Sequence, residues 1–97
     1  MAAAIMDSTI ATREVVVGLE EGLHLTPLRA LTLLAEQFTC DISIRKGDMN
    51  VDAKSMFDLI TLMAEFGTHL VLTANGPDAA AAVKALGDLF DSNFRPV

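Results

Sequence analysis

Gly22-Leu23-His24-Leu25-Thr26-Pro27 separates two different apolar periods. Before it, Val15, Val17 and Leu19 recur at alternate positions, the period of a half-buried strand. After it, Leu28, Leu31, Leu34, Ala35 and Phe38 recur at helical spacing. Thr26 can accept from the first free backbone N–H groups, and Pro27 suits the first helical position, where its missing donor is not needed. His24 then sits at the threshold of a helix, where unpaired amides and the positive end of the dipole favour an anion. An imidazole there is placed to carry a phosphoryl group. The plainer reading is a loop histidine in a strand-to-helix turn.

The pattern on either side completes a small domain. Residues 1–11 read as a flexible leader and residues 13–19 as the first strand, followed by a helix over 26–37. Cys40, Ile42 and Ile44 alternate with Asp41, Ser43 and Arg45, a second half-buried strand. Lys46-Gly47-Asp48 turns the chain into a short strand over 49–52. Ser55-Met56-Phe57-Asp58 reads as a capping box opening a helix that runs to about Ala64. Beyond Gly67, Leu70, Leu72 and Ala74 point inward from a strand over 69–74. Pro77-Asp78 opens a last helix with Ala82, Val83, Leu86, Leu89 and Phe90 on its apolar face. The domain spans 12–92, and 93–97 is expected to fray from Ser92 onward. The order βαββαβα predicts an α+β fold: a four-stranded antiparallel sheet with three helices on one face and water on the other.

Composition narrows the function. Ninety-seven residues, 52% of them hydrophobic and 21% charged, suit one globular domain. A net charge of −6 argues against nucleic acid and against an anionic membrane surface. No run approaches a membrane span, and Met1 to Met6 lacks the positive n-region of a signal peptide. Cys40 is the single cysteine, so no internal disulfide forms; a buried thiol in a reducing cytoplasm is expected. His69 is the only other histidine, and neither histidine has a cysteine or carboxylate at metal-ligand spacing. No Gly-rich phosphate loop or dinucleotide turn is present, so no metal and no cofactor is expected.

Two motifs together resemble one family. Gly22-Leu23-His24-Leu25-Thr26-Pro27 and, further on, Ala53-Lys54-Ser55-Met56-Phe57 are similar in sequence and spacing to the histidine-containing phosphocarrier (HPr) family of the phosphoenolpyruvate-dependent phosphotransferase system. The similarity runs from about Arg13 to Phe90. It implies an open-faced β-sandwich and a phosphoryl carrier rather than an enzyme with a substrate pocket. His24 matches the residue that takes the group from the phosphorylated first enzyme and passes it to a downstream acceptor protein. Ser55 matches a regulatory serine phosphorylated by a dedicated kinase, although a capping box also accounts for it. Met56 and Phe57 match the apolar docking patch, which Leu25 and Leu28 would extend; the alternative for Met56 and Phe57 is core, with at least one of them exposed because neighbouring positions point in different directions. A monomer is the default expectation.

The chain also departs from that family. Thr26 stands where the family has an arginine whose charge serves the phosphoryl group. Arg29 lies one turn further and either replaces that guanidinium or is simply solvated. Glu20 and Glu21 precede His24 and are expected to disfavour an added phosphoryl dianion. Glu36 and Asp58 fall near a face that is basic in the family, which implies partners adapted to this chain. Two functions therefore stand side by side. One is a working phosphocarrier, in sugar uptake or a regulatory relay. The other is an HPr-like regulatory binding module with little phosphoryl flux.

Overall fold

The computed structural model describes residues 9–95. Its elements are β1 (Ile10–Val16), α1 (Leu25–Ala35), β2 (Asp41–Lys46), β3 (Met49–Asp52), α2 (Met56–Thr61), β4 (His69–Asn75) and α3 (Ala79–Asp91). The four strands form one antiparallel sheet in the order β1-β4-β2-β3. Both the element order and the single open sheet agree with the pattern of apolar periods. Alternate residues of the strands, Val15, Ile42, Ile44, Val51, Leu70, Leu72 and Ala74, are buried under the helices. Leu31, Leu59, Leu62 and Leu86 close the core from the helical side. The other faces of the strands carry Glu14, Asp41, Arg45 and Asn50, all exposed.

Strand β1 begins at Ile10, before the predicted start, and pairs along the whole of β4 from Ile10↔Asn75 to Val16↔His69. Arg13 hid that start, because it stands on the inward side between Ala11 and Val15. Its guanidinium reaches Asp88 and Asp91 on α3 instead of filling the core. Residues 1–8 of the predicted leader lie outside the described residues. The chain end differs as well. Asn93 N donates to Phe90 O at 3.0 Å and Phe94 N to Leu89 O at 2.8 Å, so α3 finishes in a Schellman motif rather than fraying from Ser92. The Phe94 ring meets Phe90 edge-on at 4.9 Å.

Helix α2 is shorter than predicted. It ends at Thr61, and Met63 takes φ 48°, the left-handed conformation that stops a helix. Lys46 Nζ donates to the freed carbonyls of Leu62 and Met63, at 2.7 and 3.3 Å. At the other end, Ser55 Oγ accepts from Asp58 N at 3.2 Å, so the predicted cap is present. The reciprocal half of the capping box is not: the Asp58 carboxylate accepts from Asp52 N at 3.4 Å.

Asp78 joins the start of α3 to the start of β2. Its carboxylate accepts from Thr39 N at 2.8 Å and Cys40 N at 2.9 Å. Those bonds to the charged form, the Thr39 amide foremost, lower its pKa to about 2 from 3.8. Cys40 is buried beside it, and burial first, then Asp78, raises the thiol to about 11, which makes it inert at neutral pH. Because the folded pKa of Asp78 is depressed, its contribution to stability is complete above the unfolded value and is lost as pH falls through about 2. Urea midpoints measured from pH 5 down to 2 (roughly the window of this loss) should fall more steeply for the wild type than for Asp78→Asn. The variant should also be the less stable of the two at neutral pH.

Candidate functional site

Three backbone bonds fix the last residues of the loop before α1. Gly22 N donates to Leu19 O at 2.9 Å, closing a turn whose central residues are Glu20 and Glu21. Leu23 N donates to Ala64 O at 2.8 Å and His24 N to Gly22 O at 3.0 Å. Gly22 has φ +75°, and a Cβ there would lie 2.7 Å from Ala64 O. The glycine thus lets the loop lie flat against the segment after α2 while the next residues enter α1.

Helix α1 starts at Leu25, earlier than the predicted Thr26 cap. His24 itself is the N-cap, with extended backbone (φ −85°, ψ −172°) and no side-chain capping bond. Its carbonyl accepts from Leu28 N at 3.1 Å. Thr26 and Pro27 fall inside the first turn, where Pro27 still lacks a donor that no carbonyl awaits. The Leu25 and Thr26 amides have no acceptor among the described residues. Beside these two open donors, the half-exposed His24 side chain touches two hollows. One of about 180 Å³ is lined by Leu19, Thr26, Pro27, Ala30, Asn93 and Phe94. The second, of about 200 Å³, is lined by Glu21, Leu23, Met63, Ala64 and Glu65.

The remaining candidates divide. Arg29 is exposed on α1, with no hydrogen bond or ion pair among the described residues, and borders a groove with Leu25, Thr26, Ala30 and Leu33. Thr26 and Ala30 wall both this groove and the first His24 hollow, so the two are contiguous. Phe57 is 85% exposed and Leu25 63%, while Met56 is partly buried. Leu28 does not extend the patch. It is 3% exposed, because with Leu31 and Ala35 it forms the stripe of α1 that faces the core. The apolar surface continues instead through Ile60, Met63 and Phe66, 47%, 74% and 63% exposed. Their spacing of three from Phe57 was the available signal, obscured because a longer α2 would have turned part of that stripe inward. Phe94 stands at helical spacing from Phe90, a signal obscured by the polar Ser92 and Asn93 between them. Two lysines, in contrast to Arg29, serve the fold: Lys46 caps α2, and Lys54 Nζ donates to Phe38 O and Cys40 O at 2.7 and 2.8 Å.

A family model described as PTS HPr component phosphorylation site matches residues 11–92, nearly the whole described domain. The chain belongs to the HPr family. Phosphocarrier protein HPr of Neisseria meningitidis is 37% identical over 73 residues, 75% of this chain and 82% of that protein. Phosphocarrier protein NPr of Shewanella violacea is 33% identical over 84% of this chain and 90% of that protein. The phosphoryl donor subunit DhaM of a PEP-dependent dihydroxyacetone kinase, from Providencia stuartii, is 35% identical over 86% of this chain; the match spans only 17% of that longer protein. The crystal structure of HPr-C-His from Thermoanaerobacter tengcongensis superimposes with a TM-score of 0.85 at 30% identity, covering 90% of this chain and 99% of that one. HPr proteins are phosphocarriers rather than enzymes proper, and these relatives support a phosphocarrier role in the phosphotransferase system for this one. They imply enzymes of that system as partners. No helix among the described residues is long and apolar enough to cross a membrane.

Proposed function

We propose that this HPr-family protein carries a phosphoryl group on His24, taken in the cytoplasm from the phosphorylated first enzyme of the phosphotransferase system and passed to a downstream acceptor protein. The observation that carries the reading is an accessible imidazole at the open first turn of α1, beside the Leu25 and Thr26 amides, which have no acceptor among the described residues. Those donors and the helix dipole stabilise phosphoryl oxygens, and transfer between two imidazoles needs little beyond positioning and charge. Phe57, Leu25 and the partly buried Met56 form the docking surface, with Ile60, Met63 and Phe66 as its continuation. Ser55 is the regulatory residue in this reading, since a phosphate added there by a serine kinase would place a dianion next to Phe57. The carrier works as a monomer.

Phosphorus NMR after incubation with phosphoenolpyruvate and the first enzyme from the same source tests the proposal. An acid-labile phosphohistidine signal, mapped to the peptide containing His24, is the expected result. No signal, from an enzyme active on another carrier, would leave a binding module instead.

Arg29 supplies the cation that Thr26 does not. It is unpaired among the described residues, and its groove adjoins the His24 hollow across Thr26 and Ala30. Arg29→Ala should slow phosphoryl transfer about tenfold, the loss of one charge-assisted contact. Arg29→Lys should restore part of the rate. Single-turnover transfer at wild-type speed in Arg29→Ala would remove the residue from the site.

A further inference from the structure

One nitrogen of the His24 ring has a carboxylate beside it. Nε2 lies 3.9 Å from Glu21 Oε1, and among the described residues Glu21 is the only carboxylate within 4.0 Å of the ring nitrogens. Glu21 is set there by the backbone, as a central residue of the turn that Gly22 N closes on Leu19 O. Glu65 borders the same hollow without reaching the ring, and Glu20 lines neither hollow. Among the described residues, no carboxylate lines the hollow formed with Thr26, Pro27 and Asn93.

We propose that Glu21 is a positioning residue for His24, holding the ring proton on Nε2 and stabilising the positive charge that the ring gains as Nδ1 attacks phosphorus. The proposal rests on His24 being the phosphoryl acceptor. A neutral imidazole has one N–H donor and one bare nitrogen, and a carboxylate beside Nε2 favours the proton there. Nδ1 then carries the lone pair. In the transfer the P–Nδ1 bond forms while the bond from phosphorus to the donor nitrogen breaks, and the donor ring keeps that electron pair. Nε2 retains its proton, so the His24 ring becomes cationic in the step. Glu21 faces that charge from the Nε2 side, while the phosphoryl dianion grows on the other nitrogen, farther from the carboxylate. This is the division of labour of a carboxylate behind a catalytic histidine, on the smaller scale of an exposed pair. The charge that in sequence argued against phosphorylation is thus placed to assist it.

Nitrogen-15 NMR of the His24 imidazole, paired with single-turnover transfer from the phosphorylated first enzyme, tests the assignment. The wild type should be protonated on Nε2. In Glu21→Ala the ratio of Nδ1–H to Nε2–H should rise about fivefold, the upper end for an exposed ion pair. Transfer should slow by a similar factor in Glu21→Ala and in Glu21→Gln, which keeps an acceptor but loses the charge. Glu20→Gln makes the same change in net charge and should alter neither readout. An unchanged tautomer ratio in Glu21→Ala, or an equal shift in Glu20→Gln, overturns the proposal while leaving His24 as the acceptor. A ring held by Glu21 but never phosphorylated would overturn the acceptor reading and the transfer role of Glu21 together.

Discussion

His24→Ala should abolish phosphoryl acceptance, lowering the transfer rate by at least about 10⁴-fold, as expected when the attacking nucleophile itself is removed. The same change should leave the fold almost untouched. His24 is the N-cap of α1, but its side chain makes no capping bond and is half exposed. Its backbone contacts, His24 N to Gly22 O and Leu28 N to His24 O, survive the substitution. The thermal midpoint should therefore move by no more than about 0.5 kcal/mol equivalent, the range of ordinary surface changes. The other histidine, His69, begins β4 in register with Val16 and caps no helix among the described residues, so it should not take over. Phosphorus NMR and a melting curve on the same sample separate chemistry from folding. An acid-labile signal persisting in the variant would move the acceptor elsewhere.

Gly22→Val should have the largest effect on stability, a loss of about 3 kcal/mol. Two independent causes add. A β-branched residue at φ +75° is strained, and the new Cβ would meet Ala64 O at 2.7 Å and Glu65 Cα at 3.1 Å, backbone atoms that cannot rotate away. Relief of that clash pushes the loop off the segment after α2 and breaks the bond from Leu23 N to Ala64 O. For a domain of this size the melting temperature should drop by roughly 15 °C. Gly67 provides the control. It has φ +83°, yet a Cβ there meets nothing within 4 Å, so Gly67→Ala should show only the conformational term of about 1 kcal/mol. Equal losses at the two glycines would show that close approach to Ala64 contributes nothing. Gly22→Val should also slow phosphoryl transfer below what partial unfolding explains, since the displaced loop carries Glu21 and His24.

Most of this fold was legible in local pattern. Ile42 and Ile44 alternate with polar neighbours because one face of β2 is buried and the other is wet. Leu31 and Ala35 repeat at helical spacing because α1 presents one stripe to the sheet. The pattern failed where a side chain's partner is remote in sequence. Arg13 broke the alternation of β1 because Asp88 and Asp91, far along the chain, receive it. Phe94 has Phe90 four residues away, but the rest of its surroundings, the His24 hollow with Leu19, Thr26 and Ala30, comes from far along the chain and exists only once α3 has packed. Leu28 suggested a surface role from its closeness to His24, yet the rotation of α1 turns it into the core.

The His24 site shows the same division. Gly22, His24 and the helix start at Leu25 are neighbours along the chain, and short-range backbone geometry is enough to join them. From sequence alone they predicted an imidazole at an open helix end, within a four-stranded sheet covered by helices. Which apolar residues stay outside and which lysines are spent on carbonyls were decided by packing. Lys46 and Lys54 reach the Leu62 and Phe38 carbonyls across 16 positions each, and Met63 meets the His24 hollow because Leu23 pairs with Ala64. Periodicity encodes which face of an element is buried. It carries no record of which distant group completes a polar contact, because that depends on how the elements dock.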